Sequence, residues 1–129
     1  MYLVERPDLL RLLLARGGLD PDYPTASGVT LLHEWCVRDM RNRTIARRRE
    51  SAAVLLDAGA NISARDDEYR STPLAWAARL DLPDMVEFLL SRRAPTNLPD
   101  DEPWATPLAW ATRRGHTQIA QMLRAAGAR

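Results

Sequence analysis

His33, Glu34 and Cys36 fall within four positions of one another, and imidazole, carboxylate and thiolate are the groups that bind zinc. A zinc site needs three or four such ligands. No second histidine follows His33 at the i+4 spacing of a helical zinc motif, and the other histidine, His116, belongs to a turn. No metal site is expected. Asp66–Asp67 and Asp100–Asp101 recur as carboxylate pairs, a pattern that can serve acid–base catalysis. Both pairs stand in loops rich in turn formers, where aspartate accepts bonds from nearby backbone N–H groups, so turn chemistry is the expected role. The chain has no Gly-rich phosphate loop and no nucleophile elbow. No catalytic residue and no cofactor are assigned, and the protein is not expected to be an enzyme.

Binding residues are easier to find. All 18 basic side chains are arginine, and Arg38, Arg41, Arg43, Arg47, Arg48 and Arg49 crowd one stretch in which Asp39 is the only acid. Such a run can dock phosphates or an acidic protein surface. It lacks interleaved aromatics for base stacking, which makes nucleic acid the weaker target. A solvated face, or an extended helix with exposed arginines, is the simpler reading. Trp76 and Trp110 sit inside helix-like stretches and read as packing residues. Trp104 stands in a loop where no burial pattern explains it. It is either a recognition anchor or a packing contact on the adjacent loop. Tyr69, next to Arg70, makes a similar pair earlier in the chain.

The elements that position these residues repeat. Ser71 to Ala78 reads STPLAWAA and Ala105 to Thr112 reads ATPLAWAT, with Thr72 and Thr106 34 residues apart. A worn copy, Val29 to Cys36, lies upstream. Helix-stop positions Gly17, Gly59, Arg93 and Gly127 are spaced 42, 34 and 34, and each of the first three precedes its threonine by 13. Two registers therefore agree, and the eight extra residues fall between Thr30 and Gly59, where the arginines crowd. Threonine caps a helix and proline suits its first turn, so helices are expected from Thr72–Pro73 to Arg79 and from Thr106–Pro107 to Gly115. Second helices are expected over Glu50–Ala58, Met85–Arg92 and Thr117–Ala126. An N-terminal helix should span Asp8–Ala15, and a short one Thr30–Cys36. If Arg93 keeps the left-handed conformation of its glycine counterparts, it does so at a cost of about 1–2 kcal/mol.

With these residues in view the chain resembles the ankyrin repeat family. The resemblance rests on Thr72 to Ala78, Met85 to Leu90, their copies at Thr106 to Thr112 and Gly115 to Leu123, and the turn Gly59–Ala60–Asn61. Asp67 and Asp101 match the family's turn aspartate. The family's histidine after Thr-Pro-Leu survives only at His33; Ala75 and Ala109 replace it. The resemblance implies an all-α repeat solenoid of stacked helix-turn-helix units joined by β-hairpin-like loops. It divides residues 1–129 into a partial repeat (1–24), a repeat with the eight-residue arginine insertion (25–66), a third repeat (67–100) and a C-terminal capping repeat (101–129). It also implies a non-catalytic protein-binding module with a concave surface of loop tips and first helices. By position that surface includes Glu68, Tyr69, Ser71, Arg79, Leu80, Glu102, Pro103, Trp104, Ala105, Arg113 and Arg114. The expected partner is a protein. Docking of nucleic acid or an acidic surface through residues 38–49 is the alternative, and a regulatory piece of a larger protein is a third.

The two ends differ. Arg124 stands where Leu90 stands and Ala120 where Val86 stands, the polar outer face of a terminal repeat. At the other end Leu9, Leu10, Leu12, Leu13 and Leu14 carry no polar cap, so the chain reads as starting mid-repeat, either as a fragment of a longer array or with self-association covering the edge. Trp35 is expected to fill the room left by the missing helix. Totals bound the rest. At 129 residues and 46% apolar the chain can form one compact core, with a net charge of only +1. The single cysteine, Cys36, suits a reducing compartment, and no run is long enough for a membrane span. A cytoplasmic protein is expected.

Overall fold

The structure, a computed structural model, describes residues 45–128 and the single position Leu12, which is helical and 47% exposed. The expectations for the helices before residue 45, for His33, Trp35 and Cys36, for Arg38, Arg41 and Arg43, and for the other leucines of the N-terminal edge lie outside the described residues, as do the side chains of Arg47 and Arg48.

Five helices follow one another: α1 (Ile45–Asp57), α2 (Pro73–Arg79), α3 (Pro83–Ser91), α4 (Pro107–Arg114) and α5 (Thr117–Ala125). No strand occurs among the described residues. The α2 and α4 starts are built as the repeated Thr-Pro predicts. Thr72 Oγ1 accepts from Ala75 N at 3.3 Å and Thr106 Oγ1 from Ala109 N at 3.1 Å, with proline at the first turn, where its missing N–H leaves nothing unsatisfied. Asp84 in the first turn of α3 complements the helix dipole.

Helix α1 differs from expectation. It begins at Ile45 rather than Glu50, so residues 47–49 are helical. The stretch holds alanine and arginine, both good helix formers, and no breaker before Gly59, so propensity lets the helix run back through the charge cluster.

Each described helix end turns through a left-handed residue: Gly59 (φ 97), Asp81 (φ 59), Arg93 (φ 65), Gly115 (φ 74) and Gly127 (φ 103). The same closing bond recurs, from the N–H of the residue after it to the carbonyl five residues back: Ala60 to Leu55, Leu82 to Ala77, Ala94 to Leu89, His116 to Ala111 and Ala128 to Leu123, at 2.9–3.0 Å. A Cβ at Gly59, Gly115 or Gly127 would meet nothing within 4 Å, so the backbone angle and not crowding selects glycine there. Arg93 keeps the left-handed conformation without being glycine.

Like packs on like. Helix α2 lies against α4 and α3 against α5, while α1 packs on α3. Leu55, Leu74, Met85, Val86, Leu89, Ile119 and Leu123 form one continuous buried core across these helices. Ala77, Ala78 and Ala111 are fully buried at the contacts, where small side chains let the backbones approach closely. No single helix pair could bury these faces alone, so stacking supplies the core.

Candidate binding surface

The finger between α1 and α2, residues 60–71, is organised by one carboxylate. Asp66 is 1% exposed. Its Oδ2 accepts from Tyr69 N at 2.7 Å and its Oδ1 from Ser71 N at 3.0 Å and Trp76 Nε1 at 2.9 Å. A buried carboxylate is tolerated when such donors surround it. The turn role expected of Asp67 therefore belongs to its neighbour; Asp67 is exposed. In the next finger Asp101 does serve the turn, with Oδ2 accepting from Leu98 N at 2.8 Å.

Adjacent fingers are bolted together. Arg65 forks onto Asp100 and Asp101, with Nη2 at 2.8 Å from both. The hydrogen bond to Asp100 raises the guanidinium further above its ordinary pKa and holds the Asp100 carboxyl below the usual carboxylate range. Ser71 Oγ accepts from Trp110 Nε1 at 2.9 Å and has two carbonyls in reach of its own proton, Tyr69 O at 2.7 Å and Ala105 O at 3.2 Å. Farther along, His116 Nδ1 lies 2.9 Å from Ala78 O, and Arg92 pairs with Asp57 at 2.7 Å.

Against this frame four aromatic rings collect. Tyr69 stands edge-on to Trp76 (5.8 Å between centroids, 89°) and to Trp110 (5.9 Å, 75°), and Trp104 stands edge-on to Trp110 (6.4 Å, 80°). These are the arrangements that ring quadrupoles favour. Two guanidiniums lie on the rings. Arg79 Cζ is 4.2 Å from the Tyr69 centroid, 5.3 Å from Trp76 and 5.6 Å from Trp110; Arg113 Cζ is 4.6 Å from Trp110. Arg113 Nη2 also donates to Trp104 O at 2.6 Å. Arg79 Nε is buried without a hydrogen-bond acceptor, so ring faces provide its surroundings.

Of the expected surface residues, the structure brings Tyr69, Arg79, Trp104 and Arg113 into this cluster. Glu68, Glu102 and Arg114 are exposed beside it in sequence. Trp76 and Trp110 are buried at 6% and 9% exposure, as packing residues should be, yet they also floor the cluster. Trp104 is 43% exposed and stands edge-on to Trp110 on the helix that follows it. Ser71 and Ala105 do not line the surface: both are buried, because one hydroxyl and one carbonyl there join the fingers. Of the arginine run, Arg49 is exposed on α1, and the backbone of Arg47 and Arg48 is helical.

A depression of about 130 Å³ lined by Ala111, Thr112, Gly115, Thr117, Ala120 and Arg124 is well below the size of a typical small-molecule site. Among the described residues no group of three His, Cys, Asp or Glu side chains is placed to hold a metal ion. No helix there is long and apolar enough to cross a membrane.

Helix pairs stacked with like on like, capped by Thr-Pro and linked by aspartate-centred fingers define an all-α repeat protein. The family model for ankyrin repeats, in three copies, matches residues 1–100 and again residues 50–129, and the chain belongs to that family. Ankyrin repeats generally mediate protein–protein interaction, typically without catalysis. No curated protein matches the chain closely enough to add a named relative.

Proposed function

We propose that the chain is a non-catalytic protein-binding module of the solenoid type, with a concave surface of finger tips and first helices. Glu68, Tyr69, Arg79, Glu102, Trp104, Arg113 and Arg114 form its contact face within units 67–100 and 101–129. The observation that carries this reading is Trp104. A large indole is 43% exposed, yet its ring rests edge-on against Trp110 and its carbonyl is held by Arg113. An aromatic fixed before binding loses little entropy on contact, which is the character of a hot-spot anchor.

The test compares partner capture by wild type, Trp104→Ala and Glu87→Ala, the last an exposed residue on the second helix α3. The expected result is loss of the partner with Trp104→Ala and retention with Glu87→Ala, at unchanged helix content. Retention with Trp104→Ala would sink the proposal. A second reading keeps the arginine run 38–49 as a dock for nucleic acid or an acidic surface, supported by exposed Arg49 on a helix that extends back through residues 47–49. Binding that falls steeply with salt and disappears on neutralising Arg47, Arg48 and Arg49 would favour it.

A further inference from the structure

Arg79 and Arg113 stand at equivalent places on successive first helices, 34 residues apart, and both meet the Trp110 ring, with Cζ atoms 5.6 and 4.6 Å from its centroid. Neither has a carboxylate. Among the described residues no ion pair reaches either one; Arg113 donates to the neutral carbonyl of Trp104, and Arg79 Nε is buried without an acceptor. The nearby acids are engaged elsewhere or stand out on the fingers. Asp66 holds its own finger and Trp76, Asp100 and Asp101 hold Arg65, and Glu68 and Glu102 are exposed. Arg70, Arg93, Arg114 and Arg124 also lack ion pairs here and are exposed, as Arg113 is, but among the described residues none of these four lies on an aromatic ring; Arg79 is half-buried. Two cations sharing one ring, one of them partly desolvated, form a site whose charge an incoming anion would balance.

We propose that Arg79 and Arg113, braced on Trp110, form a clamp for an acidic segment of a protein partner. Glu or Asp carboxylates of the segment pair with the two guanidiniums, and a neighbouring apolar side chain packs on Trp104. The proposal rests on the reading of this face as the binding surface and adds the chemistry of what it takes. Stacking on aromatic rings holds a guanidinium fork in one plane, so a two-pronged bond to a carboxylate costs less side-chain entropy than it would from a free arginine. A peptide is favoured over nucleic acid by the finger carboxylates. Asp67, Glu68 and Glu102 would repel a backbone charged at every nucleotide, whereas a peptide can set single carboxylates on the arginines and neutral residues at the fingers.

The test is fluorescence anisotropy of a short labelled peptide of alternating Asp and Leu, beside Asn–Leu and Lys–Leu counterparts, at fixed salt. The Asp peptide should bind saturably, and the Asn peptide about tenfold or more weakly. Arg113→Lys, which keeps the charge and removes the fork, should weaken the Asp peptide about fivefold or more, while Arg124→Gln, which removes a charge on α5, should change it less than about twofold. Arg79→Lys is read only with an unchanged tryptophan emission spectrum, and the conclusion stands on Arg113 if that control fails. Equal binding of the Asn peptide would overturn the clamp; if that binding still requires Trp104, the surface reading survives. The clamp is also overturned by absence of saturable Asp-peptide binding, by Lys-peptide preference, or by equal losses in Arg113→Lys and Arg124→Gln. Arg113-dependent displacement by single-stranded oligo-dT at lower concentration than the Asp peptide would identify nucleic acid instead and overturn it as well.

Discussion

Arg93→Gly should stabilise the protein. Arg93 follows α3 with φ 65, the place that Gly59 and Gly127 occupy with φ 97 and 103. A side chain with a Cβ costs about 1–2 kcal/mol in this conformation. Glycine gives back about 0.5–1 kcal/mol through the extra freedom of the unfolded chain. The difference is a net gain of about 0.5–1 kcal/mol, or roughly 2–5 °C in Tm for a chain of this size. Nothing offsets it, because Arg93 is exposed and in no ion pair among the described residues. The local backbone bonds, Arg93 N to Leu90 O and Ala94 N to Leu89 O, both at 3.0 Å, stay in place. Arg93→Ala is the control: it removes the charge but keeps the Cβ, and should leave stability unchanged. Urea unfolding should show a higher midpoint for Arg93→Gly at an unaltered slope. If Arg93→Ala stabilises as much as Arg93→Gly, the effect is charge and the backbone argument fails; a loss of stability with glycine refutes it outright. Asp81→Gly should gain less, because aspartate tolerates the left-handed region better than arginine.

Gly59→Ala should cost about 1 kcal/mol by the converse argument, read as a lower urea midpoint, with no clash to relieve because the space is open. Asp66→Ala strands Tyr69 N, Ser71 N and Trp76 Nε1, and should cost about 3–5 kcal/mol by denaturation, with a shifted tryptophan emission. Trp104→Ala should change stability by less than about 1.5 kcal/mol in the same assay, since the ring is substantially exposed, while abolishing partner capture. Asp100 offers a pH signature. Its carboxyl is held below the usual range by the Arg65 hydrogen bond, so its contribution is present above that range and is lost as pH falls through the folded-state value. The stability gap between wild type and Asp100→Asn should therefore be small near neutrality, where the pair is exposed, and close on acidification. A gap that widens in acid would contradict the assignment.

What could be read from sequence was local. Thr72 and Thr106 announce their helices because capping acts within four residues, and Gly59, Gly115 and Gly127 announce stops because a single φ demands glycine. Arg93 stands out as the anomaly in that series, though only the structure shows that it bears the strained angle. The start of α1 was hidden, since nothing between Ile45 and Glu50 breaks a helix and the change from arginine to apolar residues is a change of solvation, not of backbone. Arg65 was hidden too: its partners lie 35 and 36 residues away. No spacing within one repeat points to a bond between repeats.

The two identical words diverge for the same reason. Trp76 and Trp110 occupy the same place in Leu-Ala-Trp-Ala, yet Trp76 Nε1 donates to Asp66 of its own finger, and Trp110 Nε1 donates across to Ser71. The Asp66 counterpart, Asp100, faces Arg65 instead, and the Ser71 counterpart, Ala105, has no hydroxyl to offer. With Asp100 held by Arg65, the Trp110 indole bonds to the preceding finger, whereas the Trp76 indole bonds to its own. In a stack where each unit touches only its neighbours, such interface bonds set how rigidly one finger is held against the next. Trp104 rests on Trp110, Trp110 is tied to Ser71, and Ser71 is tied to Asp66. The exposed indole is therefore held in place by a carboxylate buried in the preceding finger, and Ser71→Ala, which touches no surface, should loosen the anchor and weaken binding through Trp104.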